Sequence, residues 1–201
     1  MARFGMIIDL KRCIGCHACT IACKVENCTA PGIFWARVVD EEKGSFPQVR
    51  RRFLPKLCMQ CQNPPCVDVC PTGASFQRED GIVLINSDKC IGCGYCIVAC
   101  PYGARYRNPA KRGYFGEELN PQEKLGYEEH EVGVAEKCTF CVHRLEKGQE
   151  PACVQVCPTD ARIFGVLDNS LSEVSQLIRV RYGFQLLPEL NTEPCVYYLP
   201  E

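Results

Sequence analysis

The sequence predicts an α+β fold made of two nested halves, and the spacing of its cysteines is the main reason. The chain has 201 residues and 18 cysteines. Short apolar segments of β type precede the cysteine groups, and an amphipathic segment follows the last group. Sixteen cysteines form four groups of four: Cys13, Cys16, Cys19, Cys23; Cys58, Cys61, Cys66, Cys70; Cys90, Cys93, Cys96, Cys100; and Cys138, Cys141, Cys153, Cys157.

The spacing within the groups is typical of iron–sulfur ligands. The first and third groups read C-x2-C-x2-C-x3-C, the run found in bacterial two-cluster ferredoxins. The second group has two extra residues before its third cysteine, and the fourth has an eleven-residue spacer there. Proline, which turns the chain sharply, follows the last cysteine of three groups but not Cys23. The similar segments 70–74, 100–104 and 157–161 indicate an internal repeat.

Four [4Fe-4S] clusters are therefore expected, with crossed ligands. In the two-cluster run, the fourth cysteine ligates the other cluster. The second and third groups are separated by nineteen residues and resemble one such ferredoxin, and by the same logic the first and fourth groups form a second pair. The predicted sets are set 1 (Cys13, Cys16, Cys19, Cys157), set 2 (Cys23, Cys138, Cys141, Cys153), set 3 (Cys58, Cys61, Cys66, Cys100) and set 4 (Cys70, Cys90, Cys93, Cys96).

These pairings define the predicted organisation of the chain. Residues 1–50 with 136–170 would form an outer ferredoxin-like half, and residues 51–105 an inner half inserted within it. Strands are predicted at Phe4–Ile8, Arg52–Leu54 and Ile82–Ile85, and single helical turns after the third ligands, as at 97–99. Residues 171–201 would supply an amphipathic helix, Leu171–Tyr182, and an edge strand at 195–199.

The segment 106–135 contains no cysteine and many charges, including Glu117, Glu118, Glu128 and Glu129. A solvated surface loop is the default prediction for it, and a docking surface for a partner is the sharper alternative.

Zinc and disulfides are the competing interpretations of the cysteines. The fourth group alone would suit zinc, but the other three groups do not. Cysteines separated by two residues seldom suit a disulfide, and no secretion signal precedes them. His17 and His143 lie inside ligand loops and could suggest Rieske-type ligands, but each group already has four thiols. We expect these histidines to form hydrogen bonds or to face a partner.

The remaining cysteines and the lone tryptophan are assigned to packing. Cys28 and Cys195 lie outside the four groups and are interpreted as thiols packed near the surface or the core. Trp35 is one aromatic residue among several and is expected to pack rather than to act in function.

Composition agrees with a core built around clusters. The hydrophobic fraction of 46% includes cysteine, and without it the fraction is only about 37%. The formal net charge is −1, but four clusters at about −2 each would bring the loaded chain to about −9. The 23 Lys and Arg residues, such as the run 50–52 and Arg105 with Arg107, would offset that field locally. The balanced charge argues against a nucleic-acid partner.

The lengths of the apolar runs and the residues at the N-terminus indicate where in the cell the protein lies. No apolar run approaches the length of a membrane span. The first residues contain neither a twin-arginine pair nor a cleavable apolar segment. We therefore expect a soluble chain. It is either cytoplasmic or carried folded to the periplasmic side by a partner that bears the signal.

Five stretches carry a family resemblance that covers nearly the whole chain apart from 106–135. They are the stretches 8–16, 63–74, 89–93, 137–144 and 151–153. With them the chain resembles the iron–sulfur subunit of dimethyl sulfoxide reductase-type molybdopterin oxidoreductases, whose relatives serve polysulfide, thiosulfate, tetrathionate and arsenate respiration. The resemblance implies a large partner subunit with a molybdenum or tungsten pterin and a membrane subunit that handles quinone. Some relatives replace one third-group ligand with tryptophan and hold a three-iron cluster, whereas this chain keeps all four cysteines.

The resemblance also implies an order of the clusters between the two partner subunits. The set 1 cluster would lie beside the pterin subunit and the set 4 cluster toward the quinone subunit. The sequence supplies no nucleophile, acid–base pair or phosphate loop, so no catalytic residue is predicted. The leading hypothesis is an electron-transfer subunit. A free-standing soluble polyferredoxin is the alternative, and a zinc-stabilised interaction module is a third, weaker one.

Overall fold

The computed structural model describes residues 3–110, 112–127 and 130–201. Glu128 and Glu129, part of the predicted charged loop, lie outside the described residues. The strands are β1 (Phe4–Asp9), β2 (Arg37–Lys43), β3 (Arg50–Lys56), β4 (Ser75–Gln77), β5 (Val83–Ile85), β6 (Tyr106–Arg107), β7 (Ala135–Glu136), β8 (Arg162–Val166) and β9 (Val196–Leu199). The helices are α1 (Ala18–Glu26), α2 (Pro65–Asp68), α3 (Tyr95–Val98), α4 (Pro121–Gly126), α5 (Val142–Leu145), α6 (Ala152–Gln155) and α7 (Glu173–Val180), and Pro188–Leu190 forms a 3₁₀ turn. The content is mixed, as an α+β fold requires.

A three-stranded sheet brings distant parts of the chain together. Its order is β8-β1-β9, with β1 antiparallel to β8 and parallel to β9. Alternate side chains of β1 point to opposite faces, as the strand geometry dictates. Met6 and Ile8 enter the main core, whereas Ile7 packs with Val174 of α7. The predicted edge position of the last strand is confirmed, because β9 lies at one side of this sheet.

Helix α7 covers the other face of the sheet. The Ser172 side chain caps it by accepting a hydrogen bond from the Ser175 N–H at 3.3 Å. Val174 is buried, whereas Leu171 and Val180 are 79% and 74% exposed. The predicted amphipathic helix is therefore confirmed, but it is shorter than Leu171–Tyr182, since Leu171 precedes the cap.

Two-stranded pieces connect the cysteine groups. Strands β2 and β3 form a long hairpin between the first and second groups, and β4 and β5 pair between the second and third. The predicted strands Phe4–Ile8, Arg52–Leu54 and Ile82–Ile85 fall on β1, β3 and β5, although Ile82 itself precedes β5. Strand β2 has no apolar alternation to reveal it, because its outer half is exposed on both faces. Asp40 and Arg51 form an ion pair across this hairpin.

The segment 106–135 is more ordered than a solvated loop, and that default prediction is wrong for part of it. Strands β6 and β7 pair at its two ends. Helix α4 begins with a capping box, in which the Asn120 side chain accepts from the Glu123 N–H and Glu123 accepts from the Asn120 N–H, both at 2.9 Å. Glu123 and Tyr127 are buried, and Tyr127 packs with Ala30. Glu117 and Glu118 are exposed, as expected.

Within the described residues, no helix combines the length and the apolar character needed to cross a bilayer.

Candidate metal centres

All four cysteine loops share one backbone turn. The residue before the second cysteine has a positive φ in each: 68° at Gly15, 47° at Gln60, 67° at Gly92 and 55° at Phe140. Glycine adopts this region at no steric cost. At Gly15 and Gly92 there is also no room for a Cβ, which would lie 2.3 Å from the Phe53 ring or from the Gly133 carbonyl oxygen. The loops are thus structurally equivalent although their sequences differ.

Gln60 and Phe140 adopt the same positive-φ turn although neither is glycine. A non-glycine residue in this region costs on the order of 1–3 kcal/mol unless its surroundings fix it. The buried Gln60 amide donates to the Cys138 carbonyl oxygen and accepts from the Val83 N–H, each at 2.8 Å. Phe140 is also buried and meets Phe164 edge-on, with ring centroids 5.3 Å apart. Gln60 therefore ties the second cysteine loop to the fourth.

The third cysteine is the second residue of a helix in every group. Cys19, Cys66, Cys96 and Cys153 hold this place in α1, α2, α3 and α6. First-turn N–H groups have no acceptor within their helix and are free to face a sulfur atom. The prediction of a helical turn after the third ligand, at 97–99, is wrong in detail, because α3 already includes Cys96 and ends at Val98. Helix α1 continues through Cys23, which no proline follows.

The turn after the fourth cysteine stabilises its thiolate. The Ser75 N–H donates to the Cys70 sulfur at 3.3 Å, and the Ala161 N–H donates to the Cys157 sulfur at 3.2 Å. Burial raises the pKa of Cys70, but these backbone bonds and the Thr72 hydroxyl outweigh it and lower the pKa to about 7. The pKa of Cys157 is lowered in the same way, against its burial, by backbone N–H groups and Thr159. Both thiols are thereby prepared to act as ligands.

Sets 1 and 4 each line one cavity. Pairing of β1 with β8 carries Cys157, which precedes β8, to the loop that follows β1. All four cysteines of set 1 line the cavity formed there, together with Arg162. In the inner part of the chain, α2 contacts α3, and all four cysteines of set 4 line a second cavity.

Sets 2 and 3 are gathered in the interior. Burial, and after it the neighbouring Cys153 and Cys141, raise the pKa of Cys23, which packing of α1 on α6 brings to the fourth group. Burial and the charges of Cys58, Cys66 and Cys100 raise the pKa of Cys61 to about 12. Thiols that oppose one another's ionisation in this way are those that a bound metal centre would deprotonate.

A single metal ion would require several ligand side chains to converge on one point. In the described parts of the chain, no group of three or more His, Cys, Asp or Glu side chains converges to hold one ion. In a four-iron cluster the thiolates bind separate irons and surround the cluster.

The fit of the sites to anionic clusters rests on buried guanidinium groups. Arg162 and Arg105 are each 3% exposed and lie against cysteine sulfurs. Arg162 Nη2 and Arg105 Nε are buried and have no hydrogen-bond partner among the described protein atoms. Such donors suit cluster sulfur. Sequence reasoning missed Arg162 and named Arg105 only as one of the basic residues that would offset the cluster charge locally. The repeated Cys-Pro-x-x-Ala-Arg at 100–105 and 157–162 was the available signal.

The structure also describes the surroundings of the two histidines in the ligand loops, of the tryptophan and of the two remaining cysteines. His143 Nε2 lies 2.8 Å from Glu26 Oε1, which confirms a hydrogen-bonding role. His17 is exposed at the start of α1. Trp35 packs at the edge of the core, as expected. Cys195 is 1% exposed, and Cys28 lies beside α4 with its sulfur 3.6 Å from the Gln122 carbonyl oxygen.

Comparisons with known families agree with this geometry. Two models of 4Fe-4S dicluster domains match the chain, one at residues 49–114 and 120–167 and the other at 11–74. The chain therefore contains ferredoxin-like domains of the 4Fe-4S dicluster family. The second match joins the first and second cysteine groups, whereas the structure brings the first group to Cys157.

Relatives of known assignment are similar over nearly the whole chain. The chain is 45% identical to a Halobacterium salinarum protein assigned as an iron–sulfur subunit of dimethyl sulfoxide reductase, over 99% of this chain and 79% of that protein. It is 46% identical to a selenate reductase subunit of Mesobacillus selenatarsenatis, over 96% and 70%. It is 42% identical to the arsenate respiratory reductase iron–sulfur subunit of a Shewanella species, over 98% and 96%. The chain thus belongs to the iron–sulfur subunits of dimethyl sulfoxide reductase-type molybdopterin oxidoreductases.

Proposed function

We propose that this chain is a non-catalytic electron-transfer subunit that carries four [4Fe-4S] clusters in an anaerobic respiratory complex. Its ends would face a molybdenum or tungsten pterin catalytic subunit and a quinone-linked membrane subunit. The observation that carries the proposal is the grouping of sixteen cysteines into four sets, two open to the surface and two interior. The protein would lie peripheral to the cytoplasmic membrane, in the cytoplasm or co-exported with a signal-bearing partner.

Each set of thiolates would hold one cluster, and the nested arrangement of two ferredoxin-like halves follows from that assignment. When bound, a [4Fe-4S] cluster accepts and returns single electrons. The protein contributes four thiolates per cluster, backbone N–H groups from the shared turn, and interior positions that exclude water from sets 2 and 3. Outer sets 1 and 4 each keep one exposed ligand, Cys16 and Cys93.

Charge interactions between neighbouring sets support a linear order from set 1 to set 4. The Cys19 charge acts on Cys153, which links sets 1 and 2. The Cys58 charge acts on Cys138, which links sets 2 and 3. Arg105 lies near both Cys66 and Cys96, which links sets 3 and 4. Short steps between consecutive sites are what a one-electron path through the protein needs.

Exposed apolar side chains surround both ends of this path. Ile14 and Ile21 are 57% and 59% exposed beside set 1, and Ile91 and Val98 are 67% and 88% exposed beside set 4. Apolar surface around an exposed ligand is suited to a partner that excludes water. By the family likeness, set 1 would face the pterin subunit and set 4 the quinone side. A free polyferredoxin remains the alternative, and co-purification of a large pterin-containing subunit separates the two.

The first prediction concerns metal content. Anaerobically prepared protein should contain about 16 iron and about 16 acid-labile sulfide per chain, because each of four cubanes holds four of each. Metal and sulfide analysis of the full chain measures this. Protein that contains zinc instead of iron, with no labile sulfide, would contradict the proposal.

The second prediction concerns the crossed ligands. Cys100→Ser and Cys61→Ser should alter the same electron paramagnetic resonance signal, because both would ligate the set 3 cluster, whereas Cys70→Ser and Cys93→Ser should share another. Cys195→Ser, a buried cysteine outside the four sets, is the control and should leave all signals in place. If Cys100→Ser instead altered the signal affected by Cys93→Ser, each run would bind its own cluster.

A further inference from the structure

Arg162 lies between sets 1 and 2. It is the first residue of β8, five positions after Cys157, and its side chain is 3% exposed. Its Nη1 is 3.7 Å from the Cys153 sulfur of set 2, and its charge also acts on Cys19 of set 1. Burial raises the pKa of Cys13 in set 1 and of Cys23 in set 2, and the Arg162 charge offsets part of that rise at both thiols.

Arg105 holds the equivalent place between sets 3 and 4. It stands five positions after Cys100 and directly before β6, and it is also 3% exposed. Its Nη2 donates to the Cys66 sulfur of set 3 at 2.9 Å, and its charge acts on Cys96 of set 4. Its Nη1 donates to Ser75 Oγ at 2.7 Å. Ser75 is five positions after Cys70, so it occupies the same position in another repeat.

Lys137 completes the series between sets 2 and 3. It precedes Cys138 of set 2, is 2% exposed and donates from Nζ to the Cys138 carbonyl oxygen at 2.8 Å. Its charge also acts on Cys66 of set 3 and opposes the burial that raises the pKa of that thiol. A buried ammonium group needs nearby negative charge to offset its desolvation.

We propose that Arg162, Lys137 and Arg105 are positioning residues that set the reduction potentials of the clusters, with one buried cation in each gap between consecutive sets. The inference rests on the proposed function, since it assumes that the four sets hold clusters. It adds to that function by naming three side chains that set the potentials and the pair of clusters on which each one acts. Reduction adds one negative charge to a cluster, and a fixed cation beside it favours that state.

The arrangement also has a consequence for the reduction potentials along the path. Each cation raises the potentials of the clusters on both sides of its gap, so sets 2 and 3, which each adjoin two cations, are raised more than sets 1 and 4, which each adjoin one. In a buried, low-dielectric gap such a charge acts strongly, whereas the same charge on the surface is screened by water and salt.

The test compares matched variants of the full cluster-loaded chain by redox titration monitored by electron paramagnetic resonance. Arg162→Gln should make the set 1 and set 2 clusters harder to reduce, and Arg105→Gln the set 3 and set 4 clusters. Lys137→Gln should affect sets 2 and 3. We expect at least a tenfold change in the reduction equilibrium, which is about 59 mV for a one-electron couple. The cysteine variants described above assign each signal to its set.

Controls separate charge from structure. Arg162→Lys, Arg105→Lys and Lys137→Arg keep the charge and should remain close to the unaltered potentials. Arg179→Gln removes an exposed arginine from α7 and should shift none of them. If a glutamine variant loses iron, its charge-conserving partner carries the test, and a tenfold shift there at full iron content would overturn the proposal. Equal shifts of all four potentials, or none, would also overturn it. A chain without about 16 iron would instead refute the proposed function.

Discussion

Cys93→Ala in the assembled complex should abolish quinol-driven substrate reduction and spare reduction driven by a small dye that feeds the pterin subunit directly. Cys93 is the exposed ligand of set 4, the end that we assign to the quinone side. A path of single-electron steps fails when one terminal site is lost. The expected fall exceeds the roughly 10- to 100-fold loss that follows removal of a group that only supports a metal ligand. The measurement is turnover of one preparation with each donor.

The control is Cys195→Ala, which removes a buried thiol outside the four sets and should retain both activities. Size-exclusion analysis of the complex must show that Cys93→Ala still assembles. Equal loss with quinol and with dye, at intact assembly, would mean that the order from set 1 to set 4 is wrong.

Removal of iron and sulfide should abolish the cooperative unfolding transition of the chain. Five cysteines, namely Cys19, Cys58, Cys61, Cys138 and Cys153, belong to the main buried core. Their thiols, held close together, pack poorly as a core without metal, and the free energy of metal binding is therefore folding free energy. We expect loss of the thermal transition followed by near-ultraviolet circular dichroism, under anaerobic reducing conditions, with far-ultraviolet signal partly retained.

Reconstitution with iron and sulfide is the control and should restore the transition. The sheet β8-β1-β9 with α7 is the part best able to persist, because Ile7, Val174 and Leu199 form an aliphatic cluster there without cysteine. A metal-free chain that unfolded cooperatively near the temperature of the loaded chain would show that the aliphatic core alone sustains the fold.

Local features were predictable from the sequence because they depend on neighbouring residues. Glycine precedes the second cysteine at 15 and 92, and the structure has a positive φ at both positions, which glycine adopts without strain. Branched and aromatic residues predicted β1 and β5, and the apolar period predicted α7. Strand β2 and helix α4 were missed. The charged residues of β2 hide its register. Helix α4 depends on Glu123, whose buried carboxylate accepts hydrogen bonds from the backbone N–H groups of Tyr114 and Asn120.

The sequence by itself determined that sixteen cysteines occur in four ligand-like groups, because ligand spacing within a loop is short-range geometry. Only the tertiary structure decided which groups meet. Spacing alone also allows the first group to pair with the second, as the domain match at 11–74 does. The pairing of Ile8 with Arg162 across β1 and β8 instead brings Cys157 to the first loop and buries Arg162 beneath it. That contact joins residues more than 150 positions apart. It is fixed by strand register and by the packing of α1 on α6, which no local pattern encodes.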